Sequence, residues 1–168
     1  MNKAIFFDRD GVLNELIQRD GGFYSPQSFD QFIILDSAVG IIKNVKKLGY
    51  LCVVISNQPD ISRGYLKQTE LDKMTDVLYK ELYIDDVFYC FHAEKMCDCR
   101  KPLPGLIYSA QSKWNIDLTK SVMVGDTEKD SGAARNAGVK FYLLDHIYNI
   151  NIEATNRIKK LQSILPLI

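Results

Sequence analysis

Two aspartates one residue apart, in Asp8-Arg9-Asp10-Gly11, stand where a short apolar run from Lys3 to Phe7 stops. Carboxylates spaced in this way at a strand end can hold a hard cation between them. A carboxylate is also a nucleophile. It attacks phosphorus to form an acyl phosphate once the charge repulsion is neutralised, which magnesium bridging Asp8 and a phosphate oxygen would do. Asp10 then suits the proton work: it would protonate the leaving oxygen and later take a proton from the water that hydrolyses the aspartyl phosphate. Taken alone, the pattern also fits a solvated acidic turn, so its meaning depends on what the rest of the chain brings near it.

Three further groups of polar residues stand at the edges of expected elements. Ser56 and Asn57 end the run that begins at Leu51, and there a hydroxyl and backbone N–H groups could bind phosphate oxygens. Lys101, in Cys99-Arg100-Lys101-Pro102, precedes a helix start at Pro104. A cation at that point would stabilise negative charge on a nucleophile and on a transferring phosphoryl group, whereas a solvated lysine would do neither. Val122-Met123-Val124-Gly125-Asp126 ends in a further carboxylate, expected as another magnesium ligand. Asp130, four residues on, either orients Lys101 or a metal-bound water, or is only a charge at a helix N-terminus.

Cys90, His92, Cys97 and Cys99 form two closely spaced pairs of zinc-ligand types joined by a short reach. Four protein ligands leave no open position on tetrahedral zinc, so the expected zinc is structural and fixes the loop that carries Arg100 and Lys101. Cys52, inside an apolar run, is expected in the core.

The elements that must position these groups alternate between strand and helix. Strands are expected at Lys3–Phe7, 51–55, 87–89, 122–124 and 140–144, where short apolar runs end at polar clusters. Asp36 and Ser37 can cap a helix with Val39, Ile42, Val45 and Leu48 on one face, which stops at Gly49. Leu71, Met74, Leu78 and Leu82 mark a second helix. Ile107, Gln111 and Trp114 mark a third, Asp130 to Ala137 forms a fourth, and the tail from Asn149 is expected to be a peripheral helix. This order predicts an α/β fold with a doubly wound parallel sheet and no cap domain, one domain over 1–168, and a site beyond the carboxyl ends of the strands.

Composition narrows the partners. Twenty-one basic and 21 acidic residues balance, which leaves no broad positive field for nucleic acid or an anionic membrane surface. The start, MNKAIFFDRD, puts aspartates where a signal peptide would be apolar, and no run approaches the roughly 18 apolar residues of a membrane span. A cytoplasmic monomer acting on a small soluble substrate is expected, with reduced thiols free to bind metal.

Taken together, the Asp-x-Asp-Gly motif, Ser-Asn-Gln after the second run, Arg-Lys-Pro and Gly-Asp-x-x-x-Asp resemble the haloacid dehalogenase superfamily over residues 3 to 145. The resemblance implies Asp8 as nucleophile, Asp10 as acid and base, Ser56 and Lys101 as phosphate ligands, and magnesium on Asp8, the Asp10 carbonyl and Asp126. Only 45 positions separate Asp10 from Ser56 and 44 separate Ser56 from Lys101, which leaves no room for a cap, so selectivity is expected from residues 14–31, 59–65 and the cysteine segment. The zinc loop before Arg-Lys-Pro resembles the branch of phosphatases acting on heptose 1,7-bisphosphate and histidinol phosphate. Ile61-Ser62-Arg63-Gly64 and Lys101-Pro102-Leu103-Pro104-Gly105 are closer to the heptose type. A sugar phosphate is therefore the expected substrate. Arg63 and Arg100 would either bind its second phosphate or serve as exposed salt-bridge partners. Pro59-Asp60 departs from that branch, and an inward-pointing Asp60 would repel a bisphosphate.

Overall fold

A computed structural model describes all 168 residues. Five of its strands are the expected runs, two with the expected bounds and three slightly longer: β1 (Lys3–Phe7), β4 (Tyr50–Asn57), β5 (Asp86–Cys90), β6 (Val122–Gly125) and β7 (Lys140–Leu144). With β8 (Arg157–Ile158) they form one sheet in the order β5-β4-β1-β6-β7-β8, every neighbouring pair parallel. The chain leaves β1 on one side, builds β4 and β5, then crosses back to place β6 on the other side. The strand order thus reverses at β1, and a crevice opens at the carboxyl end of the strand that carries Asp8.

Alternation along the strands builds a core on each face. Ile5, Phe7, Cys52, Val54, Val122 and Val124 pack on one side; Ala4, Phe6, Val53, Ile55 and Met123 pack on the other. The first core is closed by α1 (Asp36–Lys47) and α2 (Gln68–Lys80), the second by α3 (Gly105–Trp114) and α4 (Glu128–Ala137). Central strands buried on both faces read as continuous apolar runs, which makes them visible without periodicity. Cys52 lies in the first core, and burial pushes its thiol up to about 12.

Several expectations need correction. The inner stripe of α1 is Ala38, Ile41, Ile42 and Val45, while Val39 and Leu48 are 51% and 48% exposed. Helical spacing admits either set, and contact with β4 and the tail selects the former. Asp36 and Ser37 do not cap this helix, which starts at Asp36 after an extended Leu35. The inner face of α3 is Leu106, Ile107 and Ala110, with Gln111 and Trp114 only half-buried; the Trp114 indole is drawn to Asp86 Oδ2 at 2.7 Å. The tail is no α-helix: it adds β8 to the sheet and ends in a 3-10 segment, Leu161–Leu167, whose Leu161 and Ile164 join the first core. Finally, residues 14–31 hold an antiparallel hairpin, β2 (Ile17–Arg19) with β3 (Gly22–Tyr24). Its strands are too short to show a period of two.

Candidate active site

The carboxyl ends of β1, β4 and β6 and the start of α4 converge on Lys101. Its ammonium donates to Asp8 Oδ1 at 2.7 Å, Asp130 Oδ1 at 2.6 Å and the Ile55 carbonyl at 2.9 Å. Lys101, Asp8, Asp126 and Asp130 are all buried, and Asp8, Asp126 and Asp130 each offer a carboxylate oxygen within 4.8 Å of the others. Three carboxylates against one buried cation leave an excess of negative charge. Burial, then the charge of Asp130, pushes the Asp8 carboxyl up to about 7 despite the pull of Lys101. Burial, Asp130 and Asp8 hold Asp126 well above the carboxylate range. Burial alone would lower Lys101, but Asp130 and Asp8 hold its charge above the usual lysine value.

Of the two readings left for Asp130, both describe parts of its geometry. Its Oδ1 holds Lys101, while Oδ2 accepts from Thr127 Oγ1 at 2.6 Å and Thr127 N at 3.0 Å, completing a capping box on α4. The glycine before Asp126 is required, because a Cβ on Gly125 would collide with the Asp130 side chain.

Asp10 stands apart from this cluster. Its carboxylate is held by Arg9 through Nε at 2.9 Å and Nη2 at 3.0 Å, by Asn14 Nδ2 at 3.0 Å and by Gln58 Nε2 at 2.7 Å. Burial would raise its proton affinity, yet Arg9 and the two amides hold it below the ordinary carboxylate value. The carboxylates that gather around Asp8 are therefore those of Asp126 and Asp130 rather than of its near neighbour in sequence. Gln58 also donates to Ser56 Oγ at 2.9 Å, which links Asp10 to the end of β4.

Asn57 lines the crevice with its side-chain amide already engaged. It clamps the Lys101 backbone, donating to the carbonyl and accepting from the N–H, both at 3.0 Å. Arg100 is buried with no carboxylate partner: one Nη1 bond reaches the His92 carbonyl at 3.0 Å and its Nε has none. Arg63 is exposed and pairs with Asp60 at 3.2 Å, and Asp60 also accepts from Gln27 at 2.9 Å, so this aspartate enters the rim already paired.

These residues line a cleft of about 1140 Å³, together with the hairpin residues Phe23 and Tyr24, Tyr148 and Lys129. The cysteine cluster sits beside it. Sγ atoms of Cys90, Cys97 and Cys99 are 3.2 to 3.6 Å apart, and His92 Nδ1 lies 3.6 Å from Cys90 and 3.5 Å from Cys99. That spacing approaches the ~3.8 Å edge of a tetrahedron built on zinc–sulfur bonds of about 2.3 Å. The Arg100 N–H donates to Cys97 Sγ at 3.3 Å, so the cluster is tied directly to the loop carrying Lys101.

Sequence reading misses four contributors: Arg9, Gln58, Tyr148 and Asn149. Tyr148 Oη donates to Asp126 Oδ2 at 2.6 Å, and Asn149 Nδ2 donates to the Asp126 carbonyl at 2.9 Å. Gln58 stands in the Ser-Asn-Gln motif, which is the one signal that could have pointed to it. The tail residues carry no local signal at all.

A family model described as polynucleotide kinase 3 phosphatase matches residues 3–157. Curated relatives include a D-glycero-beta-D-manno-heptose-1,7-bisphosphate 7-phosphatase of Haemophilus influenzae, 35% identical over 86% of this chain and 82% of that one. The protein of the same name from Helicobacter pylori is 38% identical over 85% and 83%. Among solved structures, the D,D-heptose 1,7-bisphosphate phosphatase of B. bronchiseptica, complexed with magnesium and phosphate, superposes with a TM-score of 0.85 at 27% identity, covering 98% of this chain and 97% of that one.

Proposed function

The chain belongs to the haloacid dehalogenase-type phosphatases, in the family described by the polynucleotide kinase 3 phosphatase model, and on that premise we propose that it hydrolyses D-glycero-beta-D-manno-heptose 1,7-bisphosphate to the heptose 1-phosphate with magnesium as cofactor. It is a phosphoric monoester hydrolase. One observation carries the mechanism: a buried lysine neutralises only part of a three-carboxylate cluster whose Asp126 Oδ1 is buried without a partner. An oxygen left bare at that depth costs about 1–3 kcal/mol, a cost that a bound cation removes. The donor set, all hard oxygens, suits magnesium on Asp8, Asp126 and the Asp10 carbonyl.

In this reading Asp8 is the nucleophile. Lys101 keeps its carboxylate aimed and takes up charge on the incoming phosphate, turning one of its three donors from its present acceptor to a phosphate oxygen, while the Ser56 hydroxyl binds another. Magnesium, when bound, supplies the remaining positive charge that lets one anion approach another. Asp10, ionised in the free site, takes a proton from solvent as substrate binds and hands it to the leaving oxygen. The approaching phosphate dianion raises Asp10's proton affinity against the hold of Arg9 and Gln58, and the carboxylate formed then activates water against the aspartyl phosphate. Asn57 acts through the Lys101 loop. Arg100, buried beside the cleft with an unused donor, is the better placed of the two arginines for the second phosphate; Arg63 reaches it by releasing Asp60. Cys90, His92, Cys97 and Cys99 would hold a structural zinc, which would fix the Arg100 segment. A monomer in the cytoplasm, where reduced thiols can bind metal, completes the proposal.

Phosphate release from a panel of esters tests the assignment: the heptose bisphosphate, histidinol phosphate, other sugar phosphates and a 3'-phosphorylated oligonucleotide. Magnesium-dependent release with the highest kcat/KM for the heptose bisphosphate is expected. Preference for the oligonucleotide would overturn the substrate, against which the balanced charge argues.

Magnesium binding is also expected to depend on pH. A carboxyl must lose its proton to take a cation, so affinity rises through about 7, the value to which Asp8 is pushed. The linkage has a definite sign. Asp8's value in the fold lies above its ordinary 3.8, so the stability it contributes is complete below that value and is lost as pH rises through about 7. Magnesium compensates for this loss. The Tm gain on adding magnesium is therefore expected to be larger near pH 8 than near pH 5.5, by an amount on the order of several degrees. Equal gains at the two pH values would count against the carboxylate cluster as the metal site.

A further inference from the structure

We infer that Tyr148 is a positioning residue for Asp126 and, through its ring, the seat on which the β2–β3 hairpin rests, a reading that builds on the phosphatase assignment. Its hydroxyl donates to Asp126 Oδ2 at 2.6 Å, while Asp126 Oδ1 is buried and bare. A carboxylate held by one oxygen is turned about its own axis into a single orientation, with its second oxygen presented for a cation.

The tyrosine is held by two rings packed against it, and its chain segment is tied down by the neighbouring Asn149. Asn149 Nδ2 donates to both the Asp126 and Leu144 carbonyls, at 2.9 and 2.8 Å, binding the tail to the loop after β6. His146 stacks on the Tyr148 ring with centroids 4.8 Å apart and planes 7° from parallel, and its Nε2 lies 2.7 Å from the Gly11 carbonyl. Gly11 has a φ of +84°, and a Cβ there would meet Asp126 Oδ2 at 2.5 Å and Tyr148 Oη at 2.7 Å. The glycine of the Asp-x-Asp-Gly motif is thus what lets the tyrosine reach the aspartate.

The second ring is Phe23 of β3, which packs on Tyr148 with centroids 4.7 Å apart at 44°. This stack anchors the hairpin at the edge of the cleft, so the wall that faces the substrate and the carboxylate that faces the cation share one side chain.

Two variants separate the two roles. Tyr148→Phe keeps the ring and removes the hydroxyl; Phe23→Ala removes the stack and keeps the hydroxyl. Titration calorimetry with magnesium on substrate-free protein is expected to show Tyr148→Phe weakening the metal by about 10-fold or more. Its half-saturating magnesium in turnover should rise by the same factor, with kcat at saturating magnesium little changed and metal-free Tm lowered by about 2–4 °C or more, because Asp126 Oδ2 loses its donor. Phe23→Ala should leave magnesium binding as in the parent and raise KM for the sugar phosphate several-fold, on the order expected for one lost aromatic contact. Magnesium affinity of Tyr148→Phe within about twofold of the parent overturns the positioning role. An unchanged KM in Phe23→Ala overturns the role of the stack. Because the calorimetry uses no substrate, failure of the phosphatase reading would show separately, as absent phosphate release with the magnesium effect intact.

Discussion

Asp8→Asn is expected to abolish phosphate release, lowering kcat by on the order of 10⁴-fold or more, because the amide has the shape of the carboxylate but cannot form the acyl phosphate. The variant should still fold. Asp8 carries an unfavourable charge in a cluster of three carboxylates, and burial with the Asp130 charge already pushes it up to about 7. Removing that charge relieves repulsion, and Lys101 retains Asp130 at 2.6 Å. Metal-free stability near pH 8 is therefore expected to equal or exceed that of the parent, while the stabilisation by magnesium is largely lost. The measurements are steady-state phosphate release and urea unfolding with and without magnesium. Parental turnover in the Asp8→Asn variant would remove the mechanism. A variant that is inactive only because it is unfolded would show it in the unfolding curve.

Lys101→Met gives the second large effect, this time on stability as well as on rate. The parent ammonium lies between Asp8 and Asp130 at 2.7 and 2.6 Å with almost no solvent access. Methionine fills much the same volume but leaves the carboxylates facing each other, and breaking a buried pair in this way costs about 3–5 kcal/mol. The carboxylates can escape part of that cost by taking up protons. The loss should accordingly be greatest near pH 8 and smaller near pH 5, with unfolding midpoints in urea converging as pH falls. Phosphate release should disappear at every pH. A loss independent of pH would mean that packing, rather than charge, is what the lysine provides.

Much of this site can be read directly from the chain. Asp8 and Asp126 each follow a strand whose apolar run is unmistakable, Lys101 stands just before a helix start, and strands buried on both faces need no periodicity to be seen. The zinc-type donors are legible for a different reason: Cys90, His92, Cys97 and Cys99 lie within ten residues, so spacing alone brings them together. Where two registers of one pattern are both apolar, as on α1 with Val39 and Leu48 against Ala38 and Ile41, local pattern cannot choose.

What the sequence determined by itself is chemistry tied to strand ends: which carboxylates and which cation arrive at the carboxyl edge of a parallel sheet, and with them the reaction class. What only the tertiary structure decided is which of those groups touch. It turned Asp10 toward Arg9, Asn14 and Gln58, folded residues 17–24 into a hairpin, and brought Tyr148 and Asn149 from a tail without local signal onto Asp126. The physical reason is range. Strand and helix formation is written in neighbours a few residues apart, whereas the Tyr148 to Asp126 bond spans 22 residues and the Lys101 to Asp8 bond spans 93, and contacts at such separations are selected by packing and charge in the assembled fold.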